Sequence, residues 1–410
     1  MAAQVRVNAV VERILAEAGA GDVWREITQL AQEPGMLDFG QGSPAFGASE
    51  VAREAAAANL LAPQTLERPR QNQYSAVGGL PELRKSLAEY YLRTHARELD
   101  ADSEVVIVSS ATEGLCCAVR ALAGPGDEVI VFEPFFPWYP AHVALAGAVM
   151  VPVRLRPEAG FKIERELLEA AFSPRTKLVV FNSPHNPTGF VATREELEML
   201  AELCTKHNVA VISDEVYERQ TFAGRPHLRL DQVASMAERT VTLGSSSKML
   251  NLTGWRVGWV TGPPSLIAPI AALHGYFTYC APTPLQHGVA EAVARLDPGG
   301  GGPDPMATAM EANYATLKAA LAETGLAVFE AEGGYFLVAS TEALGLSAFE
   351  YCRLLAREAS VVAAPMDVFY AKGGTPPPAH LVRFALCKPA ELVERAAAAI
   401  VANPVAAASA

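Results

Sequence analysis

The sequence lacks a C-x-x-C pair, although it carries six cysteines: Cys116, Cys117, Cys204, Cys280, Cys352 and Cys387. Six thiols spread over 410 residues do not make a disulfide scaffold, which crowds its cysteines into a short secreted chain. The cysteines and the eight histidines show no metal-ligand spacing, so no metal site is expected. No apolar run reaches the ~18–20 residues that a membrane-spanning helix needs. The opening stretch MAAQVRVNAVVERILAEAGAGD sets Arg6, Glu12, Arg13, Glu17 and Asp22 among its apolar residues, which breaks up any signal-peptide core. Charge is scarce at 19% of residues, and Lys plus Arg number 33 against 45 for Asp plus Glu. The resulting net charge of −12 argues against nucleic acid or an anionic membrane as partner. These absences leave a soluble protein of a reducing compartment, expected to be cytoplasmic.

Half of the residues are hydrophobic, which is ample material for a large core and excludes disorder as the main state. A length of 410 residues implies about two domains. Short apolar runs recur: EVVIVSS (104–110), DEVIVFEP (127–134), AVMVPVRL (148–155), KLVVFNSP (177–184), VAVISDEVY (209–217), TVTLGSS (240–246) and RVGWVTG (256–262). Nearly continuous Val and Ile is how a strand buried on both faces reads, and it predicts a mainly parallel sheet. The segments between them have helical spacing. In TREELEMLAELCTKHN (193–208), Thr193 and Glu196 fit a capping box. The repeated alternation of strand and helix predicts an α/β domain with helices on both faces. DPGGGGPDP (297–305) is the strongest breaker and marks a loop or domain boundary. Beyond it, GLAVFEAEGGYFLVAS, ASVVAAPM and HLVRFALC read as strands, with helical patterns at 308–323, 347–358 and 389–402. That is a smaller α+β unit.

Chemistry concentrates in five segments. In SSSKMLNLTGWRVGWV (245–260), Lys248 follows a strand and three serines, and Arg256 comes eight residues later. Its apolar neighbours suit a partly buried lysine with a lowered pKa, able to attack a carbonyl and form a Schiff base. Ser245, Ser247 and Arg256 supply a phosphate site. Lysine and phosphate site together point to pyridoxal phosphate, and a buried ion pair in a loop is the alternative. In VISDEVYE (211–218), Asp214 ends a strand, where it can keep a pyridine nitrogen protonated or simply cap the next helix. Tyr217 and Asn186, the latter in the turn FNSPHNPTG (181–189), can bond the ring oxygen. In SSATEGLCCAV (109–119), the amides of Ala111 and Thr112 would face an anion at a helix N-terminus. EPFFPWY (133–139) offers an aromatic to stack on a flat ring, or ordinary core packing.

Taken in chain order, these segments resemble the fold-type I, class I/II pyridoxal 5′-phosphate (PLP)-dependent aminotransferases. The phrases LDFGQGSPAF, QNQYSAVGGLPELR, DEVIVFEPFF, TGWRVGW and VRFALCK are similar to the kynurenine aminotransferase/glutamine transaminase K group. The likeness runs from about Trp24 to about Val393. It implies a three-layer α/β/α large domain with a mainly parallel seven-stranded sheet, plus a smaller α+β domain. The corresponding boundaries are 1–50 for an N-terminal arm and part of the small domain, 51–296 for the large domain, and 297–410 for the rest of the small domain. It assigns Lys248 as the Schiff-base and proton-transfer lysine, Asp214 as partner of the pyridine nitrogen, and Tyr217 and Asn186 as partners of the ring oxygen. Phe135 is the stacking aromatic, and Ala111, Thr112, Ser245 and Arg256 form the phosphate cup. Tyr74 reaches the phosphate of a neighbouring subunit, which implies a homodimer with shared sites. Arg383 clamps the substrate carboxylate. Gly42, Trp24 and Tyr279 belong to the substrate pocket.

The pattern departs from the family at Ser246 and Ser247, which are more polar than the usual pair before the lysine. HGYFTYCAPTPLQH (274–287) should wall the partner's pocket, and it contains no Arg or Lys. That favours aromatic, kynurenine-like or neutral donors such as glutamine and methionine over dicarboxylates, with His274 and His287 as the residues able to undercut the argument. The implied reaction is ping-pong transfer of an amino group from an L-amino acid to a 2-oxo acid. The alternative on the same site is β-elimination of the cysteine-S-conjugate type or other PLP chemistry, because the same residues serve all of these.

Overall fold

The seven Val- and Ile-rich runs become one sheet in the computed structural model, which describes residues 8–17, 20–63, 65, 72–296, 304–372 and 374–407. The strands are β1 (Val105–Val108), β2 (Glu128–Glu133), β3 (Val149–Arg154), β4 (Thr176–Asn182), β5 (Ala210–Asp214), β6 (Thr240–Ser245) and β7 (Gly258–Thr261). Across the sheet they run β1-β7-β6-β5-β4-β2-β3. β7 is antiparallel to both of its neighbours, and the other pairings are parallel.

Burial on both faces explains why these runs do not alternate. In β2, Val129 and Val131 pack toward helices Ala111–Leu122 and Pro264–Phe277. Ile130 and Phe132 pack the opposite way, against Leu197 and Leu200 of helix Arg194–His207. That gives the α/β/α layering expected of a parallel sheet with crossover helices. β3 is the exception: it pairs with β2 alone and is only partly buried. As an edge strand it accommodates Pro152, which has no N–H to donate. Helix Arg194–His207 starts with the expected box, Thr193 accepting from the Glu196 N–H and the Glu196 side chain from the Thr193 N–H.

The C-terminal strands form a separate antiparallel sheet. They are β8 (Ala327–Val328), β9 (Phe336–Ser340), β10 (Ala364–Pro365) and β11 (Leu381–Ala385), in the order β10-β11-β9-β8. Helices Pro305–Glu323, Ala348–Ala359 and Ala390–Ala402 share a core with it through Leu317, Leu355, Phe384 and Val393. Leu37–Asp38 pairs in parallel with Val361–Val362, which ties the N-terminal stretch to this C-terminal layer. Of the breaker DPGGGGPDP, residues 297–303 lie outside the described residues. Asp304 then caps the next helix, accepting from the N–H groups of Met306 and Ala307. Among the described residues no helix is long and apolar enough to cross a membrane.

Candidate active site

Parallel strands bring their carboxyl ends to one edge, and here a cavity opens at that edge. Asn182, Asp214 and Ser245 are the last residues of β4, β5 and β6, three neighbours in the sheet. A cavity of about 480 Å³ opens beside them. Trp24, Gly42, Ala111, Thr112, Asn186, Asp214, Tyr217, Ser245, Lys248, Arg256 and Arg383 all line it. Residues separated by more than three hundred positions thus line one cavity.

Lys248 sits in the short helical turn Ser246–Met249, capped by Ser245. Its carbonyl accepts from Tyr335 Oη at 3.3 Å, which fixes the backbone. Its Nζ lies 4.8 Å from the Tyr335 ring centre and 5.6 Å from that of Tyr217. Burial pushes the lysine pKa down; Cys387 and Asp214 oppose the shift, while Arg383 and Arg256 add to it. A desolvated lysine with a lowered pKa is a competent nucleophile and base. The two unusual serines have separate explanations. Ser246 Oγ donates to the Val257 carbonyl at 2.7 Å, whereas Ser247 Oγ is buried beside the cavity with no partner among the described residues.

Asp214 is buried, and its Oδ2 accepts from Tyr139 Oη at 2.6 Å. Burial raises its pKa to about 6, against the lowering effect of the Tyr139 hydrogen bond. Tyr139 was not singled out from the sequence, although it ends the quoted run EPFFPWY. The stacking residue needs correction within the same run. Phe135 is buried in the core beneath the site, its N–H donating to the Phe369 carbonyl at 2.7 Å, and it does not line the cavity. Phe136 does, stacked on Trp138 with ring centres 4.9 Å apart.

The Asn-Pro turn is pinned by a residue the sequence reading passed over. Asn182 Oδ1 accepts from the Asn186 N–H at 2.8 Å, and Asn182 Nδ2 donates to the Asp214 carbonyl at 2.7 Å. Asn186 Oδ1 in turn accepts from Arg383 Nη1 at 3.3 Å. Arg383 stands on β11 opposite Val338. Its guanidinium is 3.9 Å from the Phe336 ring centre, 4.5 Å from Phe369 and 5.5 Å from Trp24. Nη2 donates to the Gly40 carbonyl at 2.8 Å, and Nε has no partner among the described residues. Burial pulls its pKa down to about 9, which expresses a missing counter-charge rather than a neutral guanidine. Gly42 is required nearby, because a Cβ there would stand 2.4 Å from the Phe336 ring.

At the other end, helix Ala111–Leu122 points its N-terminus into the cavity. Ser245, Ser247, Thr253 and Arg256 complete that corner. Gly258 lets β7 approach the turn, since a Cβ there would lie 2.5 Å from the Ala111 nitrogen. A phosphate-sized anion fits this corner: free helix amides, hydroxyls and a guanidinium converge on it. With a carbonyl-reactive lysine beside it and a buried carboxylate beyond, the donor set fits PLP.

Segment 214–218 faces two ways. Asp214 and Tyr217 line the cavity, while Glu215 and Glu218 point into a buried charge cluster around Arg229. Tyr74 and Tyr279 do not line the cavity of their own chain. They are 71% and 52% exposed and pack edge to face, with ring centres 5.0 Å apart. Gln71, the first residue of the QNQY phrase, lies outside the described residues. His274 is fully buried against Glu113, so it does not supply a cation to a substrate.

Comparison with known proteins agrees with this geometry. The family model "Aminotransferase class I and II" matches residues 34–400. A probable N-succinyldiaminopimelate aminotransferase (DapC) of Mycobacterium tuberculosis is 37% identical over 385 residues, 92% of this chain and 94% of the relative. A kynurenine–oxoglutarate transaminase of Dictyostelium discoideum is 34% identical over 405 residues, covering 89% and 90% of the two chains. Among solved structures, YbdL from Escherichia coli, with a methionine aminotransferase function, superposes with a TM-score of 0.88 at 29% identity, over 98% of this chain and 100% of that one.

Proposed function

The chain belongs to the class I and II aminotransferases, and on that footing we propose that it transfers the amino group of a neutral or aromatic L-amino acid to a 2-oxo acid, using the residues gathered at the strand ends. Enzymes of this family depend on PLP, which supplies an electron sink for the pair left at the substrate Cα when its proton departs. Lys248 Nζ takes that proton and later returns it, within a buried pocket where water competes little. Asp214 would set its charge against the pyridine nitrogen, with Tyr139 fixing the carboxylate. Tyr217 and Asn186 would bond the ring oxygen, Phe136 would take the stacking role, and Ala111, Thr112, Ser245 and Arg256 would hold the phosphate. Arg383 grips the substrate carboxylate with its outer nitrogens. The two substrates share these contacts in turn, which makes the kinetics ping-pong.

The observation that carries the donor class is the wall around Arg383. Trp24, Phe336 and Phe369 surround it, and among the described residues no Lys or Arg other than Lys248, Arg256 and Arg383 lines the cavity. An apolar wall without a second cation favours a flat or apolar donor side chain over a dicarboxylate. Exposed Tyr74, Tyr276, Phe277 and Tyr279 support a homodimer in which Tyr74 completes the partner's site. The large and small domains meet near residues 50 and 296 in this reading, supported by the pairing of Leu37–Asp38 with Val361–Val362. Six unpaired cysteines support a cytoplasmic setting.

The test is a donor panel with PLP-loaded protein and no acceptor. Kynurenine, phenylalanine, methionine or glutamine should bleach the yellow absorbance with one equivalent of 2-oxo acid formed, and Lys248→Ala should show neither. N-succinyldiaminopimelate belongs in the panel, because the DapC relative is named for it. Preference for that compound or for aspartate would overturn the donor class. Pyruvate and ammonia from a β-substituted donor, without bleaching, would overturn transamination.

A further inference from the structure

Ser110 enters helix Ala111–Leu122 with φ 86° and ψ 156°, a conformation that a residue with a side chain adopts only at a cost. Surrounding structure must hold it there. Gly258 provides the room, but room does not fix a conformation. Ser110 donates its N–H to the Val108 carbonyl at 2.8 Å and its carbonyl accepts from the Gly114 N–H at 3.1 Å, and Glu113 adds a side-chain anchor by turning back on the turn it follows. Its Oε2 accepts from the Ser109 N–H at 2.5 Å. Its Oε1 accepts from Thr278 Oγ1 at 2.7 Å and lies 2.9 Å from His274 Nδ1. Ser109 Oγ lies 3.4 Å from Thr278 Oγ1. Thr278 caps the C-terminus of helix Pro264–Phe277, and His274 is fully buried in its last turn. The carboxylate is therefore turned away from the cavity and used up on one backbone N–H and two side chains of another helix.

That arrangement divides the labour of the turn. With the Ser109 N–H satisfied by Glu113, the amides of Ala111 and Thr112 stay aimed at the cavity corner. Were Glu113 released, the strained Ser110 would relax and those amides would lose their common target. We propose that Glu113 is a positioning residue for phosphate recognition, held in place by His274 and Thr278. This rests on the reading of the turn as a phosphate cradle.

The experiment compares two aldehydes on the full-length protein stripped of cofactor. Pyridoxal 5′-phosphate and pyridoxal both condense with Lys248, but only the first carries the phosphate. The affinity of each is read from the yellow absorbance in the wild type, Glu113→Ala, Glu113→Gln and Thr278→Val. Glu113→Ala should weaken the phosphorylated aldehyde by about tenfold or more, the worth of one charge-assisted hydrogen bond, and leave pyridoxal unchanged. Glu113→Gln keeps an oxygen for the Ser109 N–H and should lose less. Thr278→Val should shift the ratio in the same direction by a smaller factor, and it carries the test if Glu113→Ala does not fold. An equal loss for both aldehydes marks a merely structural residue and overturns the proposal, as does no loss for either. If the wild type shows no yellow species with either aldehyde, the site reading itself falls, a different failure from an unchanged ratio.

Discussion

Two arginines lie deep in this protein, Arg229 at 2% exposure and Arg383 at 3%, and they are held in opposite ways. Arg229 stands 3.1 Å from Asp231, 3.3 Å from Glu215 and 3.6 Å from Glu218, and lies over the Tyr91 ring. Burial opposes its charge, but Asp231, Glu215, Tyr91 and Glu218 outweigh that and push its pKa up. Burial likewise opposes the charge on Glu215, yet Arg229 and His227 hold its carboxyl below the usual carboxylate range. Arg383 has aromatic rings where Arg229 has carboxylates, and among the described residues no carboxylate stands within ion-pair distance of it. One region has satisfied its charge from within the fold. The other leaves a charge for a ligand to satisfy, the kind of unevenness that marks functional sites.

The largest expected effects separate the two regions. Arg383→Ala should cut kcat/KM by roughly a thousandfold, as truncating one half of a buried charge pair costs about 2–5 kcal/mol. The Tm of the ligand-free protein should hold or rise, because an uncompensated charge has gone. Arg229→Met should do the reverse: a loss of about 3–5 kcal/mol in urea unfolding, from carboxylates left without a cation. Turnover per folded molecule should remain within sight of the wild type. If Arg383→Ala is the variant that unfolds, the contrast is wrong.

Asp214 extends the contrast to an acid. Its pKa is raised from 3.8 to about 6, so folding favours the neutral form. That preference is fully present below the unfolded value and is lost as pH rises through about 6. At neutral pH the ligand-free protein should therefore carry a penalty of roughly 3 kcal/mol at this residue. Asp214→Asn should raise its Tm at neutral pH, with the gain vanishing in acid, while abolishing transamination. Tyr139→Phe should sharpen the point on a smaller scale. Losing its hydrogen bond should move the Asp214 titration, followed by the carboxyl chemical shift, still higher. Thr193→Ala, far from both arginines in its contacts, should cost only about 1 kcal/mol of stability and no activity.

How much of this was legible beforehand depends on distance along the chain. The strands were readable because burial on both faces leaves a continuous apolar run, and the edge strand β3 was readable for the same apolar content despite its partial exposure. Lys248, Asp214 and Asn186 each sit in a local pattern of turn, strand end or small residues, whereas Arg383 stands in the middle of β11 and was picked out only by the resemblance of its VRF phrase. Phe135 and Phe136 are adjacent in a loop, where no period tells which ring turns inward. Tyr139 acts on a residue 75 positions away, and Glu113 on one 165 positions away. No local pattern carries such pairings. Arg229 lay unread because a charged residue in a sequence gives no sign that it is buried.

Arg383, the proposed carboxylate clamp, stands on β11 of the C-terminal sheet, while Lys248 follows β6 of the large one. The two grips on a substrate are thus jaws of a caliper, each mounted on its own frame. In the proposed reaction the opening between them has to match the single carbon that separates amine and carboxylate in an α-amino acid. A β-amino acid, one carbon longer, would have to shift one frame against the other, a demand on the whole molecule rather than on any side chain. On that proposal, the gauge that admits α-amino acids would be built into how the two sheets are seated.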